Sequence, residues 1–428
     1  MATPLIPSGV PEPRPAEPAA KARRLVERAK AQVLARPNRA ALFGAGAALV
    51  SLVLMFAQHH AGLGRGAGID YQVYRWAVRT WLDGGDLTAG APLTSAERVL
   101  PWVYPPFALV PLAVPALLPF TAGLWLLYLA DLAALGGVLF LVARRVWPDC
   151  GRAGARAVAL WALAGALWLE PVYASFGLGQ VNILLMALVA VDCLVEQPRW
   201  PRGLLVGLAA AIKLTPLAFL LLFVVRRQHR AALVALGTAV AGTAVGFVIS
   251  RASSVDYWFG RGPAAGVSGS AFHTNQSIMG ELARLQLPPV PRYAVWLVLA
   301  VLLVLVTAQI VGRAPLSAAV PANGLLALLI SPTSWSDHWV WVAPGVLVAA
   351  AAALRGRSRG WAVSAVVLVV VALNATFRML PAGGHWNALQ HLVGNSYLLT
   401  GIAMLLLLAR DARRGGTGSG AAEPILRH

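Results

Sequence analysis

The chain has 428 residues, of which 58% are hydrophobic and 12% are charged, against roughly 25% charged residues in an ordinary soluble domain. Its mean hydropathy is +0.68, and uncharged runs of the length that crosses a bilayer, about 20 residues, recur from end to end. This composition excludes a soluble enzyme with one membrane anchor, a disordered chain and a disulfide-stapled domain. It predicts an all-α polytopic membrane protein.

The formal net charge of +18 would indicate nucleic-acid binding in a soluble protein. Here the basic residues flank apolar runs, as the positive-inside rule requires, so we expect membrane lipids and no nucleic acid as partners. The two cysteines, Cys150 and Cys193, form neither a CxxC pair nor a Cys/His metal spacing. A disulfide framework and a structural zinc site therefore have no support.

Both ends of the chain are expected to be basic tails in the cytoplasm. Residues 1–39 are rich in proline and carry eight Lys/Arg against three Glu, which predicts a disordered tail. Residues 21–36 could instead form a short helix on anionic lipid. The membrane domain spans 40–409, and residues 410–428 form the second cytoplasmic tail.

About twelve hydrophobic segments are predicted within the membrane domain. Twelve simple crossings from an inner N-terminus would place a basic loop outside, against the positive-inside rule. The pattern becomes consistent if segments 102–119 and 203–225 dip in and return, and whether they cross or return stays open. Four polar stretches then face outside: 59–101, 251–292, 332–338 and 378–393. The hydrophobic segments lie near 40–58, 102–119, 121–143, 156–169, 181–195, 203–225, 231–250, 293–312, 319–331, 339–354, 361–377 and 394–409.

The first outer stretch contains an amphipathic pattern. Ile69, Val73 and Trp76 recur at roughly helical spacing, which predicts a helix lying at the membrane interface. Asp70 lies at the start of this helix, where a lone carboxylate could simply cap the first turn. The aromatic and proline residues at 102–106 return the loop to the membrane, which favours a functional role for the carboxylate.

Two ionisable residues lie inside apolar segments, Lys213 and Asp131. Charges at such depth are costly and are candidates for function. An ammonium group facing a cavity is a suitable partner for a phosphate. The alternatives are a lysine that extends to the membrane interface and a structural ion pair between these two residues.

Polar groups suited to sugars occur at two later positions. Gln180 and Asn182 follow two glycines at a helix start, where side chains can contact hydroxyls or anions, although such amides also join transmembrane helices. Residues 331–339 combine small hydroxyls, an indole and the pair Asp337–His338 at one membrane boundary, a composition typical of a sugar-binding lip. The polar residues at 273–277 are expected on the same side.

Six short motifs occur in order along the chain: Asp70-Tyr71-Gln72-Val73-Tyr74, Tyr104-Pro105-Pro106, Gly179-Gln180-Val181-Asn182, Lys213-Leu214-Thr215-Pro216, Asn275-Gln276-Ser277 and Ser331-Pro332…Ser334-Trp335…His338. Together they resemble the polyprenyl-phosphomannose-dependent mannosyltransferases of actinobacteria, glycosyltransferase family 87, which have the GT-C membrane fold. The resemblance covers nearly the whole chain except both tails. One departure is Asp337, which stands where the family commonly has a second histidine before His338.

The resemblance implies a GT-C-like bundle and an inverting α-mannosyltransferase. The donor would be polyprenyl-phosphate mannose and the acceptor a phosphatidylinositol mannoside or lipomannan, joined through an α-(1→2) linkage. The expected location is the cell membrane, with the active site on the extracytoplasmic side. The sequence has no Rossmann glycine fingerprint and no P-loop, so a nucleotide-sugar donor has no evident site. No cofactor is expected; a metal bound by Asp70, Asp83 and Asp86 is the alternative.

On this hypothesis Asp70 is the general base that takes the proton of the acceptor hydroxyl. Lys213 binds the donor phosphate, and His338 is the second catalytic residue, near the sugar or the phosphate. The residues expected to bind sugar are Tyr71, Tyr104, Gln180, Asn182, Asn275, Gln276, Trp335 and Asp337.

Two other functions stay open. An arabinofuranosyltransferase that uses decaprenyl-phosphate arabinose would have nearly the same sequence features. A transporter of lipid-linked sugars would also have many helices and buried charges, although it would more often show pseudo-repeated halves, which this sequence does not.

Overall fold

The computed structural model describes residue 31 and residues 35–62, 67–87, 90–260, 267–355, 358–383 and 385–415. Within these residues the chain is helical, and β-type pairing is limited to two isolated bridges, Leu93–Val99 and Asn275–Trp335. The all-α prediction is therefore confirmed. Most of the predicted tails at 1–39 and 410–428 lies outside the described residues.

The helices differ widely in length, and several are joined by 3₁₀ segments. In chain order they are α1 (Pro37–Gly62), α2 (Ile69–Leu82), α3 (Leu109–Ala116), α4 (Phe120–Val146), α5 (Gly151–Ala166), α6 (Glu170–Leu178), α7 (Asn182–Leu194), α8 (Leu204–Ile212), α9 (Leu220–Val225), α10 (His229–Ile249), α11 (Arg251–Phe259), α12 (Ile278–Arg284), α13 (Pro289–Arg313), α14 (Leu316–Ile330), α15 (Val342–Leu354), α16 (Arg359–Asn374), α17 (Ala388–Gly394) and α18 (Ser396–Gly415).

Fewer helices are long enough to cross a membrane than the sequence predicts. Among the described residues six helices pass on length and composition, or eight if two bent pairs each form one span. The expected count of about twelve is not confirmed. The difference arises because several predicted segments fold into apolar helices of 10–17 residues, which are shorter than the bilayer core requires. These shorter helices are Pro106–Ala116, Asn182–Leu194, Thr215–Val225 and Leu316–Ile330.

Segment 102–119 begins and ends at the same helix. Near its start, the Tyr104 hydroxyl lies 2.8 Å from the Tyr74 hydroxyl on α2. Near its end, the Ala116 carbonyl accepts a hydrogen bond of 2.9 Å from Nη1 of Arg75, the next residue of α2. Both ends of the segment therefore lie against α2, and the dip-and-return interpretation stays a prediction.

Segment 203–225 also returns to its starting end. Its first residue, Gly203, packs directly against the Ala231 carbonyl in the first turn of α10. Three residues separate the segment's last helix, α9, from the start of α10. The hairpin breaks at Lys213, whose extended backbone (φ −148°, ψ 128°) separates α8 from a 3₁₀ turn over Thr215–Phe219. Lys213 therefore lies at the turning point of a helical hairpin; that this hairpin is re-entrant in the membrane stays a prediction.

Arginine side chains mark one end of the bundle, and α2 lies at the other. Arg145, near the end of α4, donates to the Leu194 carbonyl, and Arg355, just after α15, donates to the Val146 carbonyl. The opposite end of α4 packs near Gly68, the residue that precedes α2. This arrangement separates a basic end from the end that carries Asp70.

Candidate active site

Asp70 lies in the first turn of α2 and faces a polar cluster. The helix is capped by Gly68 in the left-handed conformation (φ 66°), whose amide donates to the Gly177 carbonyl. Because Gly68 occupies the cap position, the Asp70 side chain is free of the capping role considered from the sequence. Instead its Oδ2 accepts a hydrogen bond of 2.6 Å from Nε2 of Gln180.

Gln180 connects Asp70 with two tyrosines. Its Oε1 accepts hydrogen bonds from the hydroxyls of Tyr74 (2.8 Å) and Tyr104 (3.0 Å). Because both hydroxyls donate to Oε1, the amide is oriented with Nε2 toward Asp70. The preceding residue, Gly179, has φ 70°, and a Cβ at this position would lie 2.8 Å from the Cβ of Tyr71. Only glycine fits this close approach, which fixes where the α6–α7 turn places Gln180.

Burial raises the pKa of Asp70 from 3.8 to about 7. The nearby Asp337 carboxylate is the second cause in the same direction, because like charges disfavour ionisation. The hydrogen bond from Gln180 and the charge of Lys213 lower the pKa and offset part of this effect. A carboxyl with a pKa near neutrality can accept a proton and release it at physiological pH, which suits a general base.

Lys213 reaches the same cluster from the tip of its hairpin. Its Nζ donates to Oδ1 of Asn182 at 2.9 Å and lies 3.1 Å from Nε2 of His338. The ammonium is also 5.3 Å from the centre of the Tyr104 ring. These contacts, rather than a pair with Asp131, hold the ammonium group in place.

Asp337 completes the cluster through Asn182. The Asn182 Nδ2 donates to Oδ2 of Asp337 at 2.8 Å, so its two amide atoms join an ammonium to a carboxylate. The same carboxylate oxygen is 3.8 Å from Nε2 of His338. The Ser175 hydroxyl holds the Asp337 carbonyl at 2.9 Å. The residue that departs from the family pattern is thus part of the polar cluster.

The structure brings together seven of the sequence-predicted site residues. They are Asp70, Tyr104, Gln180, Asn182, Lys213, Asp337 and His338. The amides of Gln180 and Asn182 are already engaged with protein groups, so both residues orient their charged neighbours in this structure. Trp335 is half-buried and its ring lies 6.2 Å from that of Phe272, beside the 3₁₀ turn that carries Asp337.

Three other predicted residues have different surroundings. The buried Tyr71 hydroxyl donates to the Pro115 carbonyl at 2.6 Å, which ties α2 to α3. The fully buried Asn275 amide bonds with the Ser270 carbonyl and the Ser334 amide, and Gln276 donates to two main-chain carbonyls. These groups fasten loops together, and the described contacts do not join them to the polar cluster.

Sequence reasoning missed Glu170, which supports the cluster from behind. Its carboxylate accepts hydrogen bonds from the Ser336 and Tyr397 hydroxyls, both at 2.8 Å, and pairs with Arg378. Ser336 immediately precedes Asp337, so this buried carboxylate fixes the 3₁₀ turn that carries Asp337 and His338. The sequence feature that could have identified Glu170 is an acidic residue directly before Pro171 within an apolar stretch.

A narrow cavity of about 50 Å³ extends away from the polar cluster. Asn182, Lys213 and His338 line its polar end, and apolar side chains such as Met186 and Phe219 line the rest. Within the described residues, no three His, Cys, Asp or Glu side chains group closely enough to hold a metal ion, so the alternative of an Asp70–Asp83–Asp86 metal site gains no support.

Comparison with known proteins assigns the sequence to a family. The model of glycosyltransferase family 87 matches residues 102–332, which include Tyr104, Gln180, Asn182 and Lys213. Two curated relatives are both named polyprenol-phosphate-mannose-dependent α-(1-2)-phosphatidylinositol mannoside mannosyltransferase. The Mycobacterium tuberculosis protein is 34% identical over 357 residues, covering 79% of this chain and 84% of the relative. The Mycolicibacterium smegmatis protein is 35% identical over 375 residues, covering 79% and 83%.

The chain belongs to glycosyltransferase family 87. A third relative, a Mycolicibacterium smegmatis protein named for phosphatidylinositol pentamannoside, is 34% identical over 285 residues, or 64% of this chain and 67% of the relative. No solved structure gives a significant match. This family 87 protein is therefore a glycosyltransferase built on apolar membrane helices, as the sequence predicted.

Proposed function

We propose that this family 87 enzyme transfers mannose from polyprenyl-phosphate mannose to a phosphatidylinositol mannoside, forming an α-(1→2) linkage with inversion. The names of its relatives support this donor and acceptor. The observation that carries the proposal is the continuous contact path from a carboxylate to an ammonium. It runs from Asp70 through Gln180 and Tyr104 to Lys213.

Inverting transfer from a sugar phosphate needs a base for the nucleophile and a positive charge for the leaving group. The Asp70 carboxylate takes the proton of the acceptor hydroxyl as the hydroxyl oxygen attacks the anomeric carbon. The bond from that carbon to the phosphate oxygen breaks, and its electron pair leaves with the phosphate. Lys213 neutralises the charge that develops there. Attack opposite to the leaving group converts a β-linked donor into an α-linked product.

In this proposal His338 and Asp337, which lie beside Lys213, contact the sugar or the phosphate. Because the ammonium donates to Nε2 of His338, that nitrogen is the acceptor and the proton of the neutral ring lies on Nδ1, which can donate to the sugar or the phosphate. Trp335 offers an apolar ring at the same edge, and Asp337 offers carboxylate oxygens to sugar hydroxyls. Gln180 and Asn182 act by orienting Asp70 and Lys213.

The decisive experiment is a donor and acceptor assay on the purified protein in lipid nanodiscs. Polyprenyl-phosphate mannose and decaprenyl-phosphate arabinose are supplied separately with a phosphatidylinositol mannoside, and products are measured by mass spectrometry. We expect addition of one hexose that an α-(1→2)-mannosidase removes. Transfer of a pentose alone would establish the arabinofuranosyltransferase alternative. Movement of donor across a vesicle membrane without any glycolipid product would establish the transporter.

We further propose that the site faces the extracytoplasmic side of the cell membrane. The supporting observation is that Asp70 lies at the end of the bundle opposite to Arg145 and Arg355, and basic ends face the cytoplasm. A cysteine introduced at the exposed Asp83, at the end of α2, should react with an impermeant maleimide from outside intact cells. Labelling that occurs only after the membrane is permeabilised would show that the site faces the cytoplasm.

A further inference from the structure

A long apolar groove runs along the outside of the bundle and shares no lining residue with the narrow cavity beside Lys213. It has a volume of about 1420 Å³ and lies between α1, α5, α15 and α16. Along α5 it extends from Val158 to beyond Ala166, a distance of about 12 Å at 1.5 Å per residue. Three of these helices are parts of candidate membrane spans, and α5 belongs to one of the bent pairs. The groove therefore opens toward the hydrocarbon of the bilayer.

Small residues form the floor of the groove and aromatic residues form its rims. Ala162 and Gly165 on α5 line the floor, where their small size leaves space. Phe43 and Trp161, beside the floor, are 68% and 50% exposed. The Trp161 indole is held in place because its Nε1 donates to the Ala40 carbonyl at 3.2 Å. The groove is thus a shaped surface rather than a gap between loosely packed helices.

Two arginines, Arg36 and Arg39, line one end of the groove. Both are exposed, and within the part of the chain that the structure describes neither guanidinium has a hydrogen-bond partner. Twenty residues further along, Phe56 of α1 packs against Phe176 near the Asp70 end of the bundle. Since α1 is a continuous helix, Arg36 lies about 30 Å away at the basic end.

We propose that this groove binds one anionic glycerophospholipid of the membrane, with an acyl chain along the groove and the phosphate on Arg36 and Arg39. An apolar channel that ends in two guanidinium groups without a partner among the described residues matches a molecule with hydrocarbon at one end and a phosphate at the other. The lipid is distinct from donor and acceptor, because its phosphate lies at the opposite end of the bundle from Asp70.

The headgroup contact is tested with the double variant Arg36→Gln/Arg39→Gln in nanodiscs that contain phosphatidylglycerol and phosphatidylcholine. Native mass spectrometry measures which lipid remains bound after release. The wild type should retain one phosphatidylglycerol. Each arginine near a membrane surface contributes about fivefold to anionic-lipid binding, so the double variant should lose about 25-fold in preference. Arg230→Gln, an exposed arginine in the first turn of α10 at the same end, is the matched control and should keep the preference.

The groove itself is tested by filling its floor. A Cβ added at Gly165 meets no atom within 4 Å, and Gly165 lines the groove, so we expect Gly165→Leu to be accommodated with its side chain in the groove. Gly137 on α4 is equally open and lies outside the groove, which makes Gly137→Leu the matched control. Gly165→Leu alone should abolish retention of the bound lipid. The proposal is overturned if the wild type retains both lipids equally. It is also overturned if Arg36→Gln/Arg39→Gln or Gly165→Leu binds phosphatidylglycerol as the wild type does.

Discussion

The ammonium nitrogen of Lys213 lies 3.1 Å from Nε2 of His338. The contact joins the tip of the 203–225 hairpin to the 3₁₀ turn before α15, two parts of the chain that are 125 residues apart in sequence. A cation held this way against a neutral imidazole keeps at least one N–H for a ligand, because its other described partner is Asn182 alone.

Replacing Asp70 with Asn should abolish transfer and leave the fold intact. Asparagine keeps an oxygen that can accept the hydrogen bond from Gln180, but it cannot take a proton. A positioned base contributes about 10²–10⁴-fold, so single-turnover rates should fall by that factor. Asp83→Asn, an exposed aspartate at the end of the same helix, should retain the wild-type rate. Normal turnover in the Asp70 variant would remove this carboxylate from the mechanism.

The rate of transfer should depend on pH with a midpoint near 7. Burial and the Asp337 charge raise the pKa of Asp70 to about 7, and only the ionised carboxylate can act as a base. The value of kcat/KM should therefore fall about tenfold per pH unit below the midpoint and level off above it. Asp337→Asn removes a raising charge and should move the midpoint to lower pH. A midpoint that stays in place in this variant would contradict the coupling.

The same raised pKa has a consequence for stability. The folded state holds the Asp70 proton up to about pH 7, whereas an unfolded aspartate releases it near 3.8, so stability declines as pH rises between these values. Asp70→Asn should therefore raise the melting temperature at pH 8 relative to wild type, with little difference at pH 3. Thermal unfolding followed by tryptophan fluorescence in detergent measures both.

Lys213→Met should weaken use of the donor. Loss of a charge-assisted hydrogen bond costs about 1.5–3 kcal/mol, which corresponds to roughly 10–100-fold in kcat/KM for the lipid-phosphate donor. Inhibition by the free polyprenyl monophosphate should weaken in parallel, while the KM for the acceptor changes little. Lys30→Met in the N-terminal tail is the matched control. Unchanged inhibition by the monophosphate would show that Lys213 contacts something other than the phosphate.

Glu170→Gln should slow catalysis by releasing the turn that carries Asp337 and His338. The variant loses its charge toward Arg378 and presents a donor where the Tyr397 hydroxyl requires an acceptor. We expect about 2 kcal/mol of lost stability and a lower kcat with nearly unchanged donor KM. Glu196→Gln removes the exposed partner of Arg145 and should change neither. If the Glu170 variant loses only stability, the carboxylate has no positioning role.

Asn275→Ala should lower stability without changing substrate KM. The Asn275 side chain bonds to the Ser270 carbonyl and accepts from the Ser277 hydroxyl and the Ser334 amide. At about 1 kcal/mol for each buried hydrogen bond, the variant should lose about 3 kcal/mol. Asn387→Ala, which removes an exposed helix cap, should cost about 1 kcal/mol. An increase in KM per folded molecule would restore the sugar-binding role that the sequence suggested.

The sequence predicted the parts of the site that depend on local pattern. The helical spacing around Asp70 corresponds to α2, and the Lys213–Pro216 interruption corresponds to the hairpin tip. A charge inside an apolar run is rare enough to indicate a site, which identified Lys213, whereas Asp70 was identified from the amphipathic pattern of a polar stretch.

Long-range partners could not be predicted in the same way. The carboxylate of Glu170 meets Ser336 and Tyr397, which are 166 and 227 residues away. An amide such as that of Gln276 gives no sign in the sequence of whether its partner is a main-chain carbonyl or a sugar hydroxyl. The number of crossings failed for a related reason, because hydropathy does not distinguish a short apolar helix that returns from one that crosses.

The hairpin tip gives this enzyme an unusual spectroscopic property. Lysine occurs at three positions in the chain, 21, 30 and 213, and the first two lie in the N-terminal tail. Position 213 is the one lysine among the described residues, so growth on isotope-labelled lysine would place one nuclear probe in the described bundle, at the nitrogen that lies against His338. Donor analogues could be titrated against that one resonance without altering any residue.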